Sequence, residues 1–382
     1  MEETYDNWVK INENGFGNNR NRYAWSMASF NSCLYVGTTN DFDGKPYPEI
    51  YSYNPKTKEW KKEFKANQRG FRKMIVFNDN LYVGTHKDPP AFRFLLFLFG
   101  RWGCKLYRYD GYEWKNVIEQ GFGMKNHSIR AMEIYEEQLY IGTSNILYGG
   151  QIWRTKNAEK HDWKLINESG FGKRENTGIF SLKTFNGFLW AGTANGINGC
   201  EIWKYDGEKW ENVIFGGFNS KSNVAAMNME IFNEKLYVGI FNPKCGCQIW
   251  RYPADTPLGW EKVVSDGFYN PENVYVWSMK VYEDNGIKYL YVGTFNGSGY
   301  IVKSKGPKGG EMWRSSTGNC NDWQRVVKDG FNDACNYGIR TLEVLEGCLY
   351  AGTARPPMPF KKFKKHKPKN CELGCEIWKY PK

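Results

Sequence analysis

Apolar and polar residues along the chain group into short runs and do not follow a helical period. One representative series is IRAMEIY, LYIGT, QIWRT and WKLI, which lies within residues 129–166 with polar spacers between the runs. The runs are rich in aromatic and β-branched residues, and Gly, Asn, Asp or Pro separate them, which is typical of strands and turns. Both faces of each run are largely apolar, as expected for a sheet that lies between two others. The pattern predicts an all-β chain of four-stranded sheets.

A landmark that reads LYVGT, or a close variant, occurs seven times. The copies occupy residues 34–38, 81–85, 139–143, 189–193, 236–240, 290–294 and 349–353. Each copy is followed by a motif such as EIW or QIW, and each repeat also has its own tryptophan. Seven four-stranded repeats without helical periodicity predict one domain over residues 1–382, a seven-bladed β-propeller with four-stranded blades.

The two ends of the chain complement each other. The chain ends on a third-strand motif, Glu376–Tyr380, and begins with an isolated fourth-strand motif, Trp8–Asn12. We therefore expect the N-terminal strand to complete the last blade, a 3+1 closure that leaves no open sheet edge.

The string GFG, LYVGT, GxEIWRY, DG and xxW resembles the repeat of uncharacterised β-propeller proteins, and distantly that of kelch-like propellers, over essentially the whole chain. The turns Tyr109–Trp114 and Tyr205–Trp210 also resemble the Asp-box turns of sialidase-type propellers, which brace hairpins in enzymes and non-enzymes alike. The resemblance implies a fold and no activity.

Composition narrows the class of protein. Aromatic residues make up 17% of the chain and charged residues 24%, which excludes a disordered chain. No stretch reaches the ~18 apolar residues of a membrane-spanning helix, and the first residues lack the features of a secretory signal. Ten cysteines at irregular spacing match no zinc or disulfide framework, so we expect free thiols in a cytoplasmic, reducing compartment. The four histidines fall on different blades and levels, and we predict no metal and no cofactor.

Several residues recur in every blade or nearly so. The tryptophans and the Gly-Phe pairs that follow them predict packing between blades. An asparagine stands four residues before a fixed first-strand position in every blade but the second; the series is Asn21, Asn126, Asn176, Asn223, Asn273 and Asn336. Its amide predicts a turn brace, with a ligand-binding ring of amides as the alternative. An acidic or amide residue also stands beside each third-strand Trp or Tyr except in the second blade, and the two side chains together suggest a repeated sugar site. The acidic and amide residues are Glu49, Gln151, Glu201, Gln248, Glu311 and Glu376.

The first-strand position that follows the asparagines varies around the predicted ring. It reads Trp25, Arg72, Arg130, Phe180, Met227, Trp277 and Arg340. Arg72, Arg130 and Arg340 come from one side of the ring, near the mouth of the central channel, where they suit a carboxylate, sulfate or phosphate. Trp25 and Trp277 complete the candidate site. The alternative is internal ion pairs of Arg130 with Glu133 and of Arg340 with Glu343.

Insertions interrupt the repeat in the consecutive blades 6, 7, 1 and 2. The largest are residues 86–103, 295–310 and 354–374, with a shorter one at 40–48. The first is apolar and the last is basic, and the formal net charge of +11 lies largely in the loops at 295–310 and 354–374. The predicted docking residues are Phe92, Phe94, Leu95, Leu96, Phe97, Leu98, Phe99, Phe360, Lys361, Lys362, Phe363, Lys364, Lys365 and Lys367.

These features support three hypotheses. The first is a non-catalytic scaffold that docks a protein partner or larger assembly through the enlarged loops, which also suit an anionic membrane surface; nucleic acid is a weaker candidate. The alternative for the apolar loop is that it folds down over its own propeller. The second is a lectin-like module with repeated glycan sites. The third is an enzyme that acts on an anionic, acidic sugar-like substrate at the channel mouth, although no catalytic motif identifies one.

Overall fold

The computed structural model describes residues 4–40, 47–87, 102–160, 162–257, 259–299, 301–302, 307–356 and 372–381. All fourteen predicted docking residues lie outside these ranges: Phe92, Phe94, Leu95, Leu96, Phe97, Leu98, Phe99, Phe360, Lys361, Lys362, Phe363, Lys364, Lys365 and Lys367. Most of the insertions at residues 86–103 and 354–374 lies outside them as well, and so does part of the insertion at residues 295–310. Docking through these loops therefore stays a prediction.

The described residues form an all-β structure of 29 strands, and every strand pair is antiparallel. Before the first repeat lie β1 (Thr4–Tyr5) and β2 (Trp8–Lys10). Unit 1 comprises β3 (Tyr23–Phe30), β4 (Cys33–Thr39), β5 (Glu49–Asn54) and β6 (Glu59–Lys65). Unit 2 comprises β7 (Gly70–Phe77), β8 (Asn80–His86), β9 (Leu106–Tyr109) and β10 (Trp114–Ile118). Unit 3 comprises β11 (Ser128–Tyr135), β12 (Gln138–Ser144), β13 (Ile152–Thr155) and β14 (Lys164–Leu165).

The remaining units repeat this order. Unit 4 comprises β15 (Gly178–Phe185), β16 (Phe188–Ala194), β17 (Ile202–Tyr205) and β18 (Trp210–Ile214). Unit 5 comprises β19 (Ala225–Phe232), β20 (Lys235–Phe241), β21 (Gln248–Tyr252) and β22 (Glu261–Val264). Unit 6 comprises β23 (Asn273–Asp284), β24 (Ile287–Asn296), β25 (Met312–Ser315) and β26 (Gln324–Val327). Unit 7 comprises β27 (Gly338–Leu345), β28 (Cys348–Ala354), β29 (Ile377–Tyr380) and the N-terminal β2, which pairs with β29.

Helical structure among the described residues is confined to short turns. They cover Asn14–Gly17, Gly121–Lys125, Ala158–Lys160, Ser169–Gly172, Gly216–Asn219, Asp266–Tyr269 and Asp329–Asn332. Six of the seven contain a Gly-Phe pair with positive φ at one or both residues. None of these helices has the length or apolarity to cross a bilayer.

The first strand of each unit contacts the first strand of the next. The order is β3, β7, β11, β15, β19, β23 and β27, and β27 in turn contacts β3. The glycine of each LYVGT landmark makes this close approach possible. A Cβ built on Gly352 of unit 7 would lie 2.6 Å from the Cβ of Ala24 in unit 1, so any side chain there would collide with the neighbouring unit.

The repeated aromatic residues form the core between units. In unit 4, Phe171 stacks on Trp203 with ring centres 4.2 Å apart and meets Trp210 edge-on at 5.2 Å. Six units share this arrangement, and the prediction that these residues serve packing is confirmed there. In unit 2 the Gly-Phe pair at residues 70–71 opens β7 instead, and Phe64 takes the stacking position, 4.8 Å from Trp114.

The asparagine series consists of buried turn braces. Asn176 donates from Nδ2 to the carbonyl oxygen of Gly170 at 2.9 Å and to Oε2 of Glu201 at 2.8 Å. Trp203 donates from Nε1 to the same Glu201 oxygen at 3.0 Å. The bracing interpretation is confirmed, since the equivalent bonds recur in five further units. Unit 2 was predicted to lack the brace, but Gln68 stands there and accepts the Thr85 hydroxyl, as asparagine does elsewhere.

Asp110 and Asp206 hold two outer hairpins. Oδ1 of Asp110 accepts the backbone amides of Tyr112 at 2.8 Å and Glu113 at 2.9 Å, and Asp206 accepts two amides in the same way. These hydrogen bonds to the ionised form, strengthened by Arg108, lower the pKa of Asp110 to about 2.

One cysteine departs from the expectation of free thiols. Cys335 is disulfide-bonded, and the prediction is wrong there. Eight described cysteines are free; among them, Cys104, Cys200, Cys247 and Cys375 are fully buried and behave as small apolar residues. Irregular spacing concealed the pairing, because a disulfide depends on distance in space and not on a regular sequence interval.

Candidate functional site

A cavity of about 250 Å³ lies where the first strands of the seven units meet. Units 3 to 7 each contribute four consecutive residues to its wall, and units 1 and 2 contribute three each from β3 and β7. The wall includes six basic side chains, Arg72, Lys73, Arg130, Lys183, Lys280 and Arg340, and three acidic ones, Glu133, Glu230 and Glu343. Positive charge is therefore in excess.

The varying first-strand position coincides with a β-bulge in all seven units. In β7, for example, Phe71 pairs with Thr85 and Lys73 with Gly84, so Arg72 is the extra residue. The same shift occurs at Trp25, Arg130, Phe180, Met227, Trp277 and Arg340. A bulge re-aims the side chain of its extra residue, and all seven of these side chains line the cavity.

Each of the three predicted arginines lies over the aromatic ring of a neighbouring unit. The guanidinium carbon is 4.7 Å from the ring centre of Trp25 for Arg72, and 5.2 Å from that of Trp277 for Arg340. Arg130 lies 4.0 Å from the centre of Phe180. Stacking fixes the flat face of a guanidinium and leaves its N–H edge for hydrogen bonds. The structure thus brings all five predicted site residues into one wall.

Hydrogen bonding of the arginines is incomplete. Arg340 is 9% exposed; it donates from Nη1 to the carbonyl oxygen of Trp277 at 3.3 Å, and its buried Nε has no acceptor among the described residues. The alternative ion pair with Glu343 is wrong, because Glu343 binds Lys280 at 2.9 Å. Arg72 has no ion pair with any carboxylate in the described part of the chain. Arg130 donates from Nε to Ser144 at 2.9 Å.

The three guanidinium groups act on one another electrostatically. Burial lowers the pKa of Arg72 well below its usual range, and the charges of Arg130 and Arg340 lower it further. Burial also lowers the pKa of Arg340 to about 10. Arg340 remains cationic at neutral pH, so the cavity holds positive charge that an anion would relieve.

A second layer of charge lies beside the arginines. Lys183 pairs with Glu230 at 2.8 Å and Lys280 with Glu343 at 2.9 Å, from adjacent units in each case. Lys73 makes no ion pair or hydrogen bond with the described residues, although the charge of Glu133 acts on it. Lysine and glutamate thus alternate along the wall.

Sequence reasoning missed the tyrosines and histidines near the arginines. The hydroxyls of Tyr23 and Tyr337 are joined by a short hydrogen bond, and the charges of all three arginines lower the pKa of Tyr275 against the larger, raising effect of burial. His86 and His127, predicted to lie apart, have ring centres 5.8 Å apart, and His86 meets Trp25 at 5.4 Å. The signal was available, since Tyr23 and Tyr275 each stand two residues before the bulge.

The side chains expected to form repeated sugar sites instead accept hydrogen bonds from other residues of the chain. Glu49, Gln151, Glu201, Gln248, Glu311 and Glu376 are all buried. Each accepts from its asparagine and from the neighbouring Tyr or Trp, as Glu376 does from Asn336 at 2.6 Å and from Trp378 at 3.0 Å. These groups serve the turns between strands.

No group of three or more His, Cys, Asp or Glu side chains in the described ranges is arranged to hold a metal ion. No protein-family model matches the chain. No curated protein matches it either. Among solved structures, it is similar to the computationally designed Ika8 protein, with a TM-score of 0.48 and 11% identity over 94% of this chain and 96% of that one.

Proposed function

We propose that this chain is a seven-bladed β-propeller that binds a small anion in its central cavity. The propeller is supported by the seven four-stranded units, by the contact of β27 with β3, and by the pairing of β2 with β29. In that arrangement the seven first strands surround the cavity, and the N-terminal strand completes the last blade.

The anion site is supported mainly by the burial and the incomplete hydrogen bonding of Arg340. A nine-tenths buried guanidinium whose Nε has no acceptor in the described part of the chain is costly, because a buried donor without an acceptor loses ~1–3 kcal/mol. Arg72 stands in the same cavity without a carboxylate partner in the described residues. An anion that accepts from both side chains would satisfy these donors and offset the mutual repulsion of the arginines.

The chemistry of the wall limits the ligand. Stacked guanidinium groups suit a planar carboxylate or a phosphate or sulfate, each of which accepts two parallel N–H bonds. A volume of about 250 Å³ admits a small metabolite and excludes a polymer segment of any length. The proposed activity is binding, and the enzyme hypothesis stays open only for this anionic class.

Calorimetric titration with phosphate, sulfate and pyruvate tests the proposal. We expect one site per chain for at least one of these anions, and at least a roughly tenfold weaker affinity for R340Q and R72Q, since a hydrogen bond to a charged group contributes ~1.5–3 kcal/mol. R174Q, which removes an exposed arginine, is the matched control. Absence of saturable binding, or an equal loss in R174Q, would refute the proposal.

Docking of a partner through residues 86–103 and 354–374 is a separate prediction. It rests on the apolar and basic composition of those loops alone. Co-purification from the native source, compared with a chain that lacks residues 357–371, is its test.

A further inference from the structure

Three lysines line the cavity wall, and they differ in whether a carboxylate binds them. Lys183 and Lys280 are held by carboxylates of the next unit, at 2.8 Å and 2.9 Å. Lys73 lines the same cavity and makes no hydrogen bond and no ion pair within 4.0 Å in the described part of the chain. A lysine held by a carboxylate is a poor nucleophile, because the pair stabilises its protonated form.

Lys73 directly follows Arg72 at the bulge, and both side chains face the cavity. An anion held by Arg72 and Arg340 would therefore place the rest of its body among the residues that follow the bulge, where Lys73 lies. We infer that Lys73 is a reactive amine that forms an imine with the aldehyde or ketone group of a small carboxylate or phosphate. The inference rests on the proposed anion site.

The reaction is balanced without any further reagent. The neutral Nζ of Lys73 attacks the carbonyl carbon, a C–N bond forms, and the carbonyl oxygen leaves as water with the two protons that the amine gives up. Glu133 is the carboxylate whose charge acts most strongly on Lys73, and burial raises the pKa of Glu133; it can pass a proton to the departing oxygen and take one from the amine nitrogen in return, so that no net proton is consumed.

The pKa shifts of Lys73 and Lys183 also favour Lys73 as the more reactive amine. Burial lowers the pKa of Lys73, while Lys183, which burial alone would also lower, has its pKa raised by Glu230 and Glu133. A larger neutral fraction at a given pH makes an amine a better nucleophile, as in lysines that react with carbonyl substrates.

The test is reductive trapping of the whole chain with pyruvate and cyanoborohydride, followed by peptide mass mapping. We expect Lys73 to be modified faster than Lys183 or Lys280, because the carboxylates that bind those two lysines stabilise their protonated, unreactive form. K73R should lose this modification, and K183R, the matched control, should keep it. R340Q should slow the modification of Lys73 while circular dichroism shows an intact fold.

Calorimetry with pyruvate on the same samples separates the two proposals. If pyruvate binds and R340Q weakens it, but Lys73 is modified no faster than Lys183, the inference is wrong and the anion site stands. If pyruvate, phosphate and sulfate all fail to bind, both proposals fall. If K73R folds but still shows a single fast-modified lysine, the reactive amine has been assigned to the wrong residue.

Discussion

The guanidinium carbon of Arg72 lies 4.7 Å from the centre of the Trp25 ring, and no ion pair in the described part of the chain neutralises its charge. The bulge in β7 holds this cation at the cavity wall. Such an arrangement is unfavourable for an empty protein and favourable for one that binds an anion.

Replacing Arg72 should therefore separate stability from binding. We expect R72M to raise the free energy of unfolding by ~0.5–2 kcal/mol, the usual gain when a functional but destabilising group is removed, and to weaken anion binding as R72Q does. K280Q should instead lower it by ~1–3 kcal/mol, because Glu343 loses its partner in the cavity. Urea unfolding of the ligand-free proteins measures both; a loss of stability in R72M would contradict the prediction.

The N-terminal strand should be as important as any internal one. Trp8 and Trp260 are each 2% exposed; Trp8 packs against two aromatic rings, Phe331 and Tyr380, and Trp260 against three. We expect W8A and W260A to cost a similar ~3–5 kcal/mol, measured by urea unfolding. If W8A costs less than a third of W260A, the strand that pairs with β29 is peripheral and the proposed closure is weakened.

The buried hydrogen bonds around Glu201 should depend on the shape of its side chain more than on its charge. Gln151 and Gln248 already occupy in units 3 and 5 the position that Glu201 occupies in unit 4. E201Q should therefore cost under ~1 kcal/mol, since its main loss is an ion pair to the half-exposed Lys173. E201L should cost ~1–3 kcal/mol or more, because Asn176 and Trp203 lose their buried acceptor. Equal effects of the two substitutions on thermal unfolding would show that the network is not shape-specific.

Asp110 should make stability depend on pH in acid. Its folded pKa of about 2 lies below its ordinary value of 3.8, so its contribution is complete above about pH 4 and is lost as the pH falls through 2. D110A should therefore melt below the wild type at pH 7, and the difference should shrink between pH 4 and pH 2. Scanning fluorimetry at several pH values measures this difference. A gap that stays constant across that range would mean that the carboxylate charge contributes nothing to the hairpin.

Much of this arrangement could be predicted from spacing. Seven copies of LYVGT located the units; counting from the asparagines located Arg130 and Arg340, and the alignment of the repeats located Arg72, all without coordinates. The charged residues Glu133, Lys183, Glu230, Lys280 and Glu343 each stand three residues after the bulge, so the repeat contained that signal as well. The brace at Gln68 was not predicted, because the series consists of asparagines and glutamine is a different residue type with a longer side chain.

Other features depend on distances between units. Stacking of Arg340 on Trp277 joins two units through residues 63 positions apart, and no local pattern records it. His86 ends the second strand of unit 2 while His127 precedes the first strand of unit 3, so their meeting follows from how β8 and β11 approach each other. Pairing of Cys335 likewise depends on proximity in space.

The bulge in each first strand has a consequence for how such a protein can change. Because the extra residue stands outside the hydrogen-bonded ladder, its identity is nearly independent of the sheet that carries it. The seven such positions hold Trp, Arg, Arg, Phe, Met, Trp and Arg, and other side chains could replace them without any change in the strand pairing around them. Single replacements at these positions can therefore change which ligand is selected, while the strands that carry them keep their own packing and hydrogen bonds.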